Sequence, residues 1–89
     1  MTASMELPIP AWFKYRQGEA VPAGSNCYKL TAPLSEDAYI YVRNQDGKWQ
    51  AVLKAAPNGP DVEATEPKFE SEADAWRAAF ELYRAVVIY

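Results

Sequence analysis

AYIYVRNQDGKWQAVLK, residues 38–54, sets two runs rich in β-branched and aromatic residues on either side of Asn44-Gln45-Asp46-Gly47. Such a pattern predicts a β-hairpin. Two turns compete for it: a two-residue type I′ turn on Asp46-Gly47, or a three-residue loop in which a type I turn ends with Gly47 in the left-handed conformation as a bulge. They differ by one residue of register, and side chains alternate with period 2. In the first, Ile40 and Val42 share a face with Trp49, Ala51 and Leu53. In the second, Tyr39, Tyr41 and Arg43 share it with them instead. Asn and Asp ahead of the glycine suit type I positions and favour the second.

Towards the C-terminus, Pro57-Asn58-Gly59-Pro60 makes another turn, and VEATE at 62–66 alternates loosely enough for a third strand of a meander, ended by Pro67. Ser71 then reads as a helix N-cap. Asp74 three residues on makes a variant capping box, and Glu72 and Asp74 complement the positive end of the helix dipole. Trp76, Ala79, Phe80, Tyr83, Val86 and Val87 recur at helical spacing as one apolar stripe, with Arg77 and Arg84 flanking Glu81 on the wet side. The helix is expected over 71–87.

Towards the N-terminus, Ser35, Glu36 and Asp37 form a polar turn and NCYKLT at 26–31 reads as a strand ending before Pro33. GEAVPAGS, 18–25, has the Gly and Pro punctuation of a loop. AWFKYR, 11–16, alternates Phe13 and Tyr15 with Lys14 and Arg16 and suits an edge strand, although Pro10 also permits one helical turn. Residues 1–10 read as an extended arm, because each proline pushes the residue before it towards an extended conformation.

The expectation is a single α+β domain over 1–89: arm 1–10, sheet 11–66 and helix 71–87. The sheet is antiparallel, of three to five strands, with the one C-terminal helix packed on one face. Its core should include Trp49 or its strand neighbours, Phe69, Trp76, Phe80 and Tyr83. The 89 residues are 49% hydrophobic and 13% aromatic, too apolar for a disordered chain, and they suffice for one small core.

There is no histidine and only one cysteine, Cys27. Triads that use imidazole, Cys-rich zinc sites and intrachain disulfides are therefore excluded. The four glycines are scattered singly, so no phosphate-cradling loop forms. Glu36 or Asp37 beside the tyrosines is the one place to look for a catalytic acid, and such acids ordinarily shape a turn. Neither enzyme activity nor a metal or cofactor is expected. The first ten residues carry no Lys or Arg ahead of an apolar stretch that Pro8 and Pro10 interrupt, which predicts neither a secretory signal nor a membrane span and suggests the cytoplasm.

Residues 60–74 hold Asp61, Glu63, Glu66, Glu70, Glu72 and Asp74 against Lys68 alone, a local charge of −5 in a chain of −3. The bland reading is a solvated strand edge running into an acid-favouring helix start. The functional one is an acidic surface (Asp61, Glu63, Glu66, Glu70) for a basic partner. A second candidate follows from layering. A single helix covers one face of a sheet, so the other stays open unless the arm folds back over it. Depending on the turn, that face carries Tyr39 and Tyr41 with Val52, or Ile40 and Val42 with Val52, and Tyr39, Tyr41, Arg43, Val52 and Lys54 are the residues expected to bind a partner there.

FESEADAWRAAF at 69–80, following a hairpin that carries Trp49 and a third strand, resembles the strand-strand-strand-helix unit of Apetala-type DNA-binding domains and phage integrase arm-binding domains. Phe69, Glu70, Ser71, Ala75, Arg77 and Ala78 match its Phe, acid, helix cap and Ala-rich spacing. The resemblance covers residues 38–87. It implies the same fold, and DNA reading through arginines and tryptophans of the open sheet face, here Arg43 and Trp49. The residues themselves favour a non-enzymatic module that binds a protein partner or a second copy of itself, with nucleic acid on the sheet face as the alternative.

Overall fold

The computed structural model describes residues 7–24, 26–33, 35–57 and 59–88. A short helix, α1 (Ala11–Tyr15), precedes five strands: β1 (Glu19–Gly24), β2 (Cys27–Thr31), β3 (Ala38–Gln45), β4 (Lys48–Lys54) and β5 (Asp61–Ala64). Helix α2 (Glu72–Tyr83) follows and runs into a π-helical turn, Arg84–Ile88. The strands form one antiparallel meander in the order β1-β2-β3-β4-β5, and α2 packs on one face of it against β3 and β4. The fold is α+β.

The β3–β4 hairpin takes the two-residue turn, which corrects the preference for a bulged loop. Gln45 pairs with Lys48, Asn44 with Trp49 and Val42 with Ala51. Asp46 and Gly47 both have positive φ, 53° and 88°, as a type I′ turn requires. The Gly47 N–H donates to Asn44 Oδ1 at 3.2 Å, so Asn44 supports this turn from the last-but-one residue of β3 rather than occupying a type I position. Ile40, Val42, Ala51 and Leu53 consequently face α2 and are buried.

Two N-terminal expectations change. Residues 11–15 are helical, not a strand. A strand would put Phe13 and Tyr15 on one side, whereas the helix buries Phe13 completely and leaves Tyr15 91% exposed. Its end is a Schellman closure: the Gly18 N–H donates to Phe13 O at 3.0 Å and the Gln17 N–H to Lys14 O at 2.9 Å, with Gln17 at φ 61°. A Cβ at Gly18 would stand 2.5 Å from Phe13 Cε1, so the ring needs a glycine beneath it. Residues 19–24, read as loop, form edge strand β1. An edge tolerates Pro22 because a missing N–H there breaks no interior ladder.

Ser71 caps α2 by accepting from the Asp74 N–H at 3.2 Å. The Asp74 carboxylate turns instead to Arg77, at 2.9 Å, while Glu72 accepts from the indole N–H of Trp76 at 3.0 Å. Ala75, Trp76, Ala79, Phe80 and Tyr83 are buried against the sheet. Val86 is not: the wider π turn rotates it off the stripe and it is 45% exposed, while Val87 stays partly packed on the core. Phe69 is partly buried and bridges Trp49, whose N–H donates to Phe69 O at 2.8 Å.

Candidate functional site

Residues 7–13 take the side of the sheet that α2 occupies. Leu7, Ile9 and Trp12 pack against the main core, and Phe13 lies 5.3 Å from Phe80 and 5.6 Å from Tyr83 between ring centroids. Neither helix crosses the opposite face. Strand register lays that face out in rows. Val21, Lys29, Tyr39, Lys54 and Asp61 pair successively across all five strands, and beside them run Cys27, Tyr41, Val52 and Ala64, then Arg43 and Gln50.

Four of the five expected partner-binding residues, Tyr39, Tyr41, Arg43 and Lys54, thus present themselves together. Val52 needs correction. It lies on this face but is fully buried, flanked by Tyr41 and Ala64 across the strands and by Gln50 and Lys54 along its own. Gln50 donates to Thr65 O at 2.8 Å and accepts from Arg43 Nε at 3.3 Å, and the Lys54 ammonium lies 4.9 Å from the Tyr41 ring centre. Those longer side chains close the surface above it. Val52 supports Tyr41 and cannot itself touch a partner.

The Tyr41 hydroxyl donates to Pro57 O at 2.7 Å, tying the β4–β5 turn to the face; Asn58 of that turn lies outside the described residues. Burial, followed by the hydrogen bond and charge of the neighbouring Cys27 thiol, pushes the Tyr41 hydroxyl up to about 12. Cys27 is a buried free thiol packed beneath the tyrosine layer.

Charges on the face are matched internally. Asp61 takes Arg43 at 3.1 Å and Lys54 at 3.6 Å, and Lys29 pairs with Asp37 at 3.5 Å. Residues given separately as a partner surface and an acidic surface therefore meet at Asp61. The rest of the acidic stretch is not gathered into one surface. Glu70 is bound to Lys48, Asp74 to Arg77, and Glu72 to Trp76. Among the described residues, Glu63 and Glu66 have no cationic partner, and Glu63 pairs in register with Leu53, off the Asp61 side of the sheet.

Arg43 and Trp49, the pair that the DNA-reading resemblance puts on the open face, are separated by the sheet. Arg43 pairs with Gln50 on the open side, whereas Trp49 packs with the α2-side core. The one-residue turn register is the cause.

Glu36 and Asp37 rim a cleft of about 380 Å³ whose apolar wall is Leu53, Val62, Val86 and Val87. Both acids are exposed, and Asp37 is paired with Lys29. Among the described residues no group of three His, Cys, Asp or Glu side chains is placed to hold a metal ion, and no helix is long and apolar enough to cross a membrane. Comparison of the chain with protein-family models, with curated proteins and with solved structures finds no match.

Proposed function

We propose that this chain is a non-enzymatic binding module that engages a protein, either a different one or a second copy of itself, through the open sheet face at Tyr39, Tyr41, Arg43 and Lys54. The observation that supports this reading is the one-sided packing of residues 7–13 and α2, so that among the described residues neither helix covers the tyrosine-bearing face. Tyrosine and arginine at the centre of such a face suit protein contacts, since both give large contact area with directional polar ends. Sheet extension is disfavoured at both edges: β1 carries Pro22, and β5 is four residues long between Pro60 and Pro67 with Glu63 on it.

The nucleic-acid reading weakens on electrostatic grounds. Phosphate affinity comes from clustered free cations, whereas Arg43 and Lys54 share Asp61 and the whole chain carries −3. The test uses the purified chain and a Tyr39→Ala/Arg43→Ala variant, compared by sedimentation for self-association and by capture from lysate with and without nuclease. Self-association, or a captured protein that survives nuclease, should be present in the parent and lost in the variant. Equal behaviour of the two chains, or a partner released by nuclease, would overturn the proposal.

A further inference from the structure

We propose that the surface formed by α1 and the end of α2, away from the open sheet face, docks an acidic segment of a partner protein carrying one apolar side chain between carboxylates. Tyr15 is the most exposed large apolar residue described, at 91%, because α1 spends its other side on Phe13. Beside it, Ala11, Trp12, Arg16 and Arg84 complete the lining of a shallow hollow of about 420 Å³. The Arg84 guanidinium lies 5.7 Å over the Trp12 ring, and its acid, Glu81, is 3.8 Å away with both side chains more than half exposed.

Charge complementarity selects the occupant. Lys29, Arg43, Lys48, Lys54 and Arg77 each sit on an acid of this chain. Lys14, Arg16 and Lys68 have no such partner among the described residues, and Lys14, Arg16 and Arg84 on this surface outnumber Glu81, the one acid ion-paired with any of them there, in a chain of net charge −3. Guanidinium groups bind carboxylates with forked geometry, and Trp, Tyr and Arg together are the residues that dominate protein interfaces. A single-stranded nucleic acid fits less well, because successive bases need several free rings. Here the Trp12 ring is already stacked on Tyr83, 6.4 Å between centroids and 16° between planes, and covered by Arg84, leaving Tyr15 alone.

The experiment is fluorescence anisotropy on the full chain with three labelled probes: a Glu-rich peptide with one central Leu, the same peptide with Lys in place of Glu, and an oligothymidylate of equal charge. The Glu-rich peptide should bind, the Lys version should not, and Tyr15→Ala and Arg16→Ala should each weaken binding about tenfold. Both side chains are exposed, so melting curves should match the parent, and Tyr39→Ala should leave the affinity unchanged. Failure of the Glu-rich peptide to bind, equal binding of the two peptides, insensitivity to both substitutions, or tighter binding of the oligonucleotide would each overturn the proposal.

Discussion

Tyr83 is completely buried, and its hydroxyl has no hydrogen-bond partner among the described residues. Burial and the charge of Asp37 hold its ionisation above the ordinary tyrosine value, against the pull of Arg16. An unmatched buried hydroxyl is a cost without return, so Tyr83→Phe should raise stability by about 1 kcal/mol in urea denaturation. Tyr41 behaves differently, since its hydroxyl is bonded to Pro57. Its pKa is about 12 in the fold against 10.0 ordinarily, so above pH 10 the unfolded chain gives up a proton that the folded chain keeps. The stability this contributes is complete below pH 10 and lost as pH rises from there through about 12. Tyr41→Phe should flatten the fall in urea midpoint across that window, leaving the part due to Tyr83. An unchanged slope would show that the Tyr41 hydroxyl is not held by the fold.

At the scale of elements, α1 and α2 are stabilised at their ends. Gln17 closes α1 in the left-handed region, where a side chain is strained and glycine is not. Gln17→Gly should therefore stabilise by about 1 kcal/mol, read as a rise in melting temperature. Ser71→Ala removes the hydroxyl that accepts from the Asp74 N–H and should cost about 1 kcal/mol by the same measurement. The α2 cap was legible because Ser71 and the acidic first turn are local signals. Helix α1 was not, since five residues are too few to show a helical period, and Phe13 and Tyr15 also match a strand. Strand β1 was hidden for a related reason: Pro22 and Gly24 punctuate loops, and only pairing with β2 makes them an edge.

For the whole molecule, the candidate site depends on which side of the sheet each strand presents. Alternation made Tyr39, Tyr41 and Arg43 one row and Val52 and Lys54 another, but only the turn register joins the two rows on one face, and their matching by Asp61 was hidden because that acid arrives from β5. Asp61 is therefore the shared counter-ion of Arg43 and Lys54 on this face. Asp61→Asn would leave Arg43 and Lys54 without a counter-ion, and should confer salt-sensitive oligonucleotide binding that the parent lacks. Anisotropy at two salt concentrations checks this, and equal affinity of parent and variant would remove Asp61 from the account.

Hydrophobic periodicity, helix capping and turn residues determined an antiparallel meander backed by a C-terminal helix, because each is a signal carried by neighbouring residues. The tertiary structure decided the hairpin register, the fate of the N-terminal segment, the burial of Val52 and the pairing of charges at Asp61. Both possible turns satisfied local preference, and burial of Ile40, Val42, Ala51 and Leu53 under α2 belongs to one of them. Residues 11–15 became helical where Phe13 could enter the core beside Phe80 and Tyr83. Contacts between segments distant in sequence, worth more together than the propensity of any one, settle such choices.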